Sequence, residues 1–248
     1  SAGGDFAFGE IAGADAGYTF TIANDVIGAG SLTVDRDALL SLNGDAVRNI
    51  RMVGGGELAF NGTLASLAGE GAGLDVELRD GGGALFAGQV GDGTTGRLGD
   101  INIVSTGGVI GVTTALEFGG DVFADSLTSL SGQGDVILGG ATTDLVGDNG
   151  AGFSLDLAAA DSTIEIHGNL VMGLSALFQT NVELHGGGSR NITMNGAGST
   201  LTFQGDVLAD AGSVTGLTVT LNNSDPGTGV FTTAVFEGFA GGPLNDRL

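Results

Sequence analysis

Along this chain apolar and polar residues alternate in short hexads, and a glycine usually closes each one. TIEIHG (163–168), NVELHG (181–186), TLTFQG (200–205) and TVTLNN (218–223) follow one another at a nearly constant step of about 18 residues. LLSLNG (39–44), ELAFNG (57–62) and DVELRD (75–80) repeat that step, ALEFGG (115–120) and DVILGG (135–140) are set slightly wider, and NIRMVG (49–54) and NITMNG (191–196) fall between the main series. Alternate side chains share one face of a strand, and glycine tolerates the bend that follows. Each hexad therefore predicts a short strand and a corner. Helical spacing is sustained nowhere, and the most helix-like stretch, LDLAAADS (155–162), is short.

A unit this short cannot hold a helix pair, so the pattern predicts an all-β fold, a parallel β-solenoid (β-helix) with coils of about 18–20 residues. Equivalent residues of successive coils should stack about 4.8 Å apart. One expected inward ladder is Ile166, Leu184, Phe203 and Leu221, and another is Leu42, Phe60 and Leu78. On the order of a dozen coils would make a rod roughly 60 Å long. Spacing loosens over 86–115 and 140–162, where longer coils or loops are expected. The alternative is an antiparallel β-sandwich, which also uses many short strands but has no reason to keep a constant step.

Composition narrows this further. With 50 Gly but only 2 Pro in 248 residues and no strict triplet period, the chain is not collagen-like. Its 42% apolar content gives it area to bury, unlike a disordered tract. The absence of Cys excludes disulfides and thiolate metal sites. No apolar run reaches a bilayer-spanning length of about 18 residues, and the opening segment SAGGDFAFGE carries no basic residue, so a soluble or already processed chain is expected, with no membrane insertion. The formal charge is −22, and all seven cations are Arg, which argues against nucleic acid and anionic membranes as partners and favours cations.

The hexads, together with VGGGELAFNGTL (53–64), DGGGALFAGQV (80–90) and NGAGSTLTFQGDV (195–207), resemble the repeats of secreted bacterial β-solenoids. The similar kinds are filamentous-haemagglutinin-like adhesins and autotransporter passenger domains. The resemblance covers about two thirds of the chain and implies export, an elongated rod at the cell surface, and an adhesive or scaffolding role.

Candidate chemistry lies at turns. Asp92 in VGDGTTG, Asp144 and Asp148 in DLVGDNG, and Asp225 in NNSDPGTG are candidate ligands for Ca²⁺, the one cofactor the sequence suggests, because turns set carboxylates beside free carbonyls. Asp and Asn also favour turns for backbone reasons alone. His167 and His185 hold the same position in successive hexads, so in a solenoid they should stack on adjacent coils and point outward. Such a pair could bind a transition metal or change charge near pH 6, but with no third His or Cys at a matching spacing a plain surface ladder is expected. Asp35 and Asp37 alternate around Arg36 on one strand face, and the chain has no Trp and one Tyr, so catalysis on a polysaccharide is not expected.

Aromatic residues gather near both ends: Phe6, Phe8, Tyr18 and Phe20, then Phe231, Phe236 and Phe239. Residues 1–30 and 224–248 are accordingly expected to be caps or assembly segments around a solenoid at 31–223. Uncapped solenoid ends expose unpaired strand edges. The expected function is an extracellular, non-catalytic structural subunit that self-assembles into a surface filament or layer. Its partner would be itself. The alternative is an adhesin rod binding a surface glycan or host ligand.

Overall fold

The computed structural model describes residues 19–22, 26–28, 32–34, 39–42, 47–52, 58–66, 71–79, 83–106, 116–130, 135–145, 155–157, 163–173, 175–210, 215–222 and 232–237. Every strand pair among them is parallel, which rules out the antiparallel sandwich. The chain winds through three sheet faces in turn.

After β1 (Thr19–Ile22), the first winding runs β2 (Val26–Gly28), β3 (Leu32–Val34) and β4 (Leu39–Leu42). The second runs β5 (Arg48–Met52), β6 (Leu58–Phe60) and β7 (Thr63–Ser66). The third runs β8 (Leu74–Arg79), β9 (Ala84–Phe86) and a single bridging residue, Val90. β10 (Leu98–Thr106), β11 (Leu116–Phe118) and the first half of β12 (Val122–Leu130) make the fourth. The second half of β12 leads into β13 (Val136–Leu138) and β14 (Thr142–Leu145), and then come β15 (Leu155–Leu157), β16 (Thr163–Ile166) and β17 (Asn169–Met172). The last two windings are β18 (Ala176–Phe178), β19 (Asn181–Leu184) and β20 (Gly188–Met194), then β21 (Thr200–Phe203), β22 (Val207–Ala209) and β23 (Thr215–Leu221). β24 (Thr233–Phe236) starts a further one on the first face. The solenoid is thus wider than the expected 31–223, since β1 and β2 precede it and β24 follows it.

The first strand named in each winding belongs to the first face, and among the described residues the second face is one sheet of eight strands, β3-β6-β9-β11-β13-β16-β19-β22. Seven intervals of about 4.8 Å give that face a height of about 34 Å. This corrects the expected dozen coils and rod of roughly 60 Å, because most coils are longer than the hexad step. Register on the second face steps from Leu58 to Ala84, Leu116, Val136, Ile164, Val182 and Val207. The shortest of these windings runs from Ile164 to Val182. The two longest, Ala84 to Leu116 and Val136 to Ile164, span the two irregular stretches in the sequence.

The inward ladders are corrected for the same reason. Ile166 and Leu184 do stack, but the next residue in their column is Ala209, not Phe203. Phe203 lies on the first face between Phe178 and Phe236, and Leu221 on the third beside Met194. Leu42, Phe60 and Leu78 do not stack: their partners are Ser66, Phe86 and Met52, one on each face. Where the winding is longer than the hexad step, that step stops one face short of a full turn, and the same alternation serves all three faces. The rod survives the correction because all its pairs run parallel.

Among the residues whose burial is described, alternate strand residues point into one shared interior of Leu, Ile, Val and Phe, a core no single winding could bury alone. Phe60, Phe86 and Phe118 form one aromatic stack and Phe178, Phe203 and Phe236 another, with neighbouring centroids 4.8–5.4 Å apart.

Candidate functional site

The hexad logic that buries Ile164 and Ile166 turns Thr163, Glu165 and His167 outward, and in β19 it buries Val182 and Leu184 and turns Glu183 and His185 outward. The winding between these strands is the short one and equals the hexad step, so Glu165 pairs directly with Glu183. The backbone ladder runs one residue beyond the strands: His167 N–H donates to Leu138 O, His185 N–H to Ile166 O, and Asp210 N–H to Leu184 O, at 3.0, 3.0 and 2.9 Å. Two outward columns result. One carries Ile137, Glu165, Glu183 and Leu208, the other Gly139, His167, His185 and Asp210.

The two imidazoles stack as the sequence predicts, with centroids 4.5 Å apart and planes 4° from parallel. What sequence reading missed are the carboxylates around them. Glu165 Oε2 lies 3.0 Å from His167 Nε2 and 3.4 Å from His185 Nε2. Glu183 Oε2 approaches His185 Nε2 to 3.7 Å, and Asp210 Oδ2 approaches His185 Nδ1 to 3.6 Å. His185 Nε2 is sealed from solvent and makes no hydrogen bond. Behind it, the chain turns away through Gly186 and Gly188, both at positive φ, and the Arg190 guanidinium donates from Nε to His185 O at 2.8 Å. Glu165 and Glu183 were within reach of sequence reading, since each precedes its His by one alternation on the same side of the strand. Asp210 was not, because a longer winding brings it into line.

Among the described residues, the groups of three metal-ligating side chains within 4.8 Å are Glu165, His167 and His185, and Glu183, His185 and Asp210. Of the turn acids expected to hold Ca²⁺, Asp92 and Asp144 belong to neither group. Asp92 Oδ1 accepts from Thr94 N–H (2.9 Å) and Thr94 Oγ1 (2.8 Å), and Oδ2 from Thr95 Oγ1 (3.1 Å), closing the turn on itself. These bonds, the Thr94 hydroxyl foremost, hold its carboxyl below the ordinary aspartate range. Asp144 has a built-in cation: Arg97 Nη2 reaches its Oδ2 at 3.2 Å. Arg97 Nη1 also donates to Asp144 O and Ala124 O, tying adjacent windings, and its guanidinium lies 5.9 Å from the Phe123 ring centre. Asp148 and Asp225 lie outside the described residues.

The chain was compared with protein-family models, with curated proteins and with solved structures, and none of the three comparisons found a match.

Proposed function

We propose that this chain is an extracellular structural subunit, without catalytic activity, that assembles end to end into a surface filament or layer. One observation carries this reading: among the described residues, nothing pairs with the outer side of the C-terminal rung. β22, β23 and β24 each pair on one side only among the described residues, as do β1, β2 and β3 at the other end. Thr233 and Glu237 donate inward to Ser199 O and Phe203 O. In a parallel strand alternate residues face opposite neighbours, so Ala234 and Phe236 direct their N–H and C=O groups to the open edge. Among the described residues Phe236 is the last ring of its stack and only half-buried, and Leu221, in line with buried Met194, is 40% exposed.

Because all windings run in one direction, the first rung of one copy matches the last rung of another. Such a contact is head to tail and does not close, which is the geometry of a filament. The glycine-rich hexads, with their likeness to secreted solenoids, support the extracellular setting. Electron microscopy of the purified full chain, with Ca²⁺ and with chelator, tests the proposal. Filaments or sheets are expected in wild type, and single short rods in Ala234→Pro, which removes an edge N–H while leaving the inward bonds of β24. Single rods from the wild type under every condition would overturn it and favour the adhesin.

A further inference from the structure

We propose that Glu165, Glu183, His167 and His185 form a binding site for a divalent transition-metal ion of the zinc class, with Asp210 orienting His185. This does not depend on assembly.

The donor set is two imidazole nitrogens and two carboxylate oxygens. Imidazole suits Zn²⁺ and its neighbours in the transition series, whereas Ca²⁺ and Mg²⁺ take oxygen. The spacing fits as well. Ligands on a tetrahedral ion with bonds of about 2.0–2.1 Å lie about 3.4 Å from one another. Glu165 Oε2 stands 3.0 and 3.4 Å from the two Nε2 atoms, and Glu183 Oε2 stands 3.7 Å from that of His185. Glu165, His167 and His185 already present ligand atoms within 4.8 Å of one another, and Glu183, which does so with His185 and Asp210, would turn toward them to supply the fourth as the stacked imidazoles rotate onto the ion.

Two further features point to a ligand. A sealed Nε2 without a hydrogen bond is costly unless something occupies its lone pair or its proton. On the far side of the same ring, Asp210 Oδ2 faces Nδ1 at 3.6 Å. A ligating His characteristically gives its other N–H to a carboxylate, which fixes the tautomer with Nε2 free to bind. Charge favours occupation too: with both imidazoles neutral, three carboxylates face one another, and a dication offsets two of those charges. The ion would join β16 to β19 directly and, through Asp210, to the segment after β22, pinning three successive windings.

The test is calorimetric titration of Zn²⁺ into the chelator-treated full chain at pH 7.5, with excess Ca²⁺ saturating the general acidic surface. One tight site per chain is expected. His167→Ala and His185→Ala should each remove it, and Asp210→Asn should weaken it about 10–100-fold. Bound Zn²⁺ should also raise the wild-type Tm, since it favours only the folded chain. Binding that is unchanged in both His variants, or no binding above the Ca²⁺ background, would overturn the proposal. Should those variants fail to fold, Co²⁺ on the wild type decides: strong visible bands of a four-coordinate ion support the site, and only the weak bands of a six-coordinate ion overturn it.

Discussion

At Phe86 the stacking of successive windings can be read from one buried side chain. Its ring lies between Phe60 and Phe118, with centroids 5.4 and 5.0 Å away, and is 1% exposed. Phe86→Ala opens a void that the flanking rings cannot fill without leaving their own windings, so a loss of about 3–5 kcal/mol is expected in urea unfolding. Asp92 acts through charge. Its carboxyl is held below the ordinary value by Thr94 and then Thr95, so the ionised form stabilises the fold. That contribution is complete above the unfolded value of about 3.9 and disappears as pH falls through the lower folded value. The Tm gap between wild type and Asp92→Ala should therefore be constant from about pH 7 to 5 and close below about pH 4. Thermal melts across that range check it, and a gap that widens on acidification would contradict it. The residue scale was also the most legible. Alternation marked Ile164, Ile166, Val182 and Leu184 as strand residues sharing a face, and equal hexad position predicted the His167–His185 stack.

At the scale of strands and corners, glycine sets how closely the windings approach. Between the second and third faces Gly88, Gly120, Gly140 and Gly168 follow one another up the rod. A Cβ on each would come within 2.0–2.4 Å of the carbonyl oxygen below, those of Gly62, Gly88, Gly120 and Gly140 in turn. Gly140→Ala must push two windings apart, and an overpacking cost of about 1–3 kcal/mol is expected in chemical denaturation. Gly71→Ala, where a Cβ meets nothing within 4 Å, should stay within about 0.5 kcal/mol of wild type. Strand and corner were readable in each hexad, but the face was not. β4, β6 and β8 share a pattern and a constant step, yet they sit on three different faces, because the length of the intervening corners, not the strands themselves, sets the winding. The same limit hid Asp210, which reaches His185 only by way of a longer winding.

For the whole molecule, charge opposes assembly and geometry favours it. Two copies at −22 repel over about 30 Å at 0.01 M salt but over only about 8 Å at 0.15 M. If the end rungs pair as proposed, the concentration needed for assembly should fall severalfold across that range, measured by sedimentation. Assembly that weakens as salt rises would contradict a contact made by apolar rungs and backbone edges. By itself the sequence determined the local geometry: alternation fixes which side of a strand is buried, and glycine fixes where the chain can bend. It also determined the fold class, since repeated units too short for helices bury their apolar sides only by stacking. The tertiary structure alone decided which strands stack on which, because that depends on the path length around each winding. A cluster such as Glu165, His167, His185, Glu183 and Asp210, drawn from two adjacent columns, exists only once β16, β19 and the segment after β22 come into register across windings of unequal length.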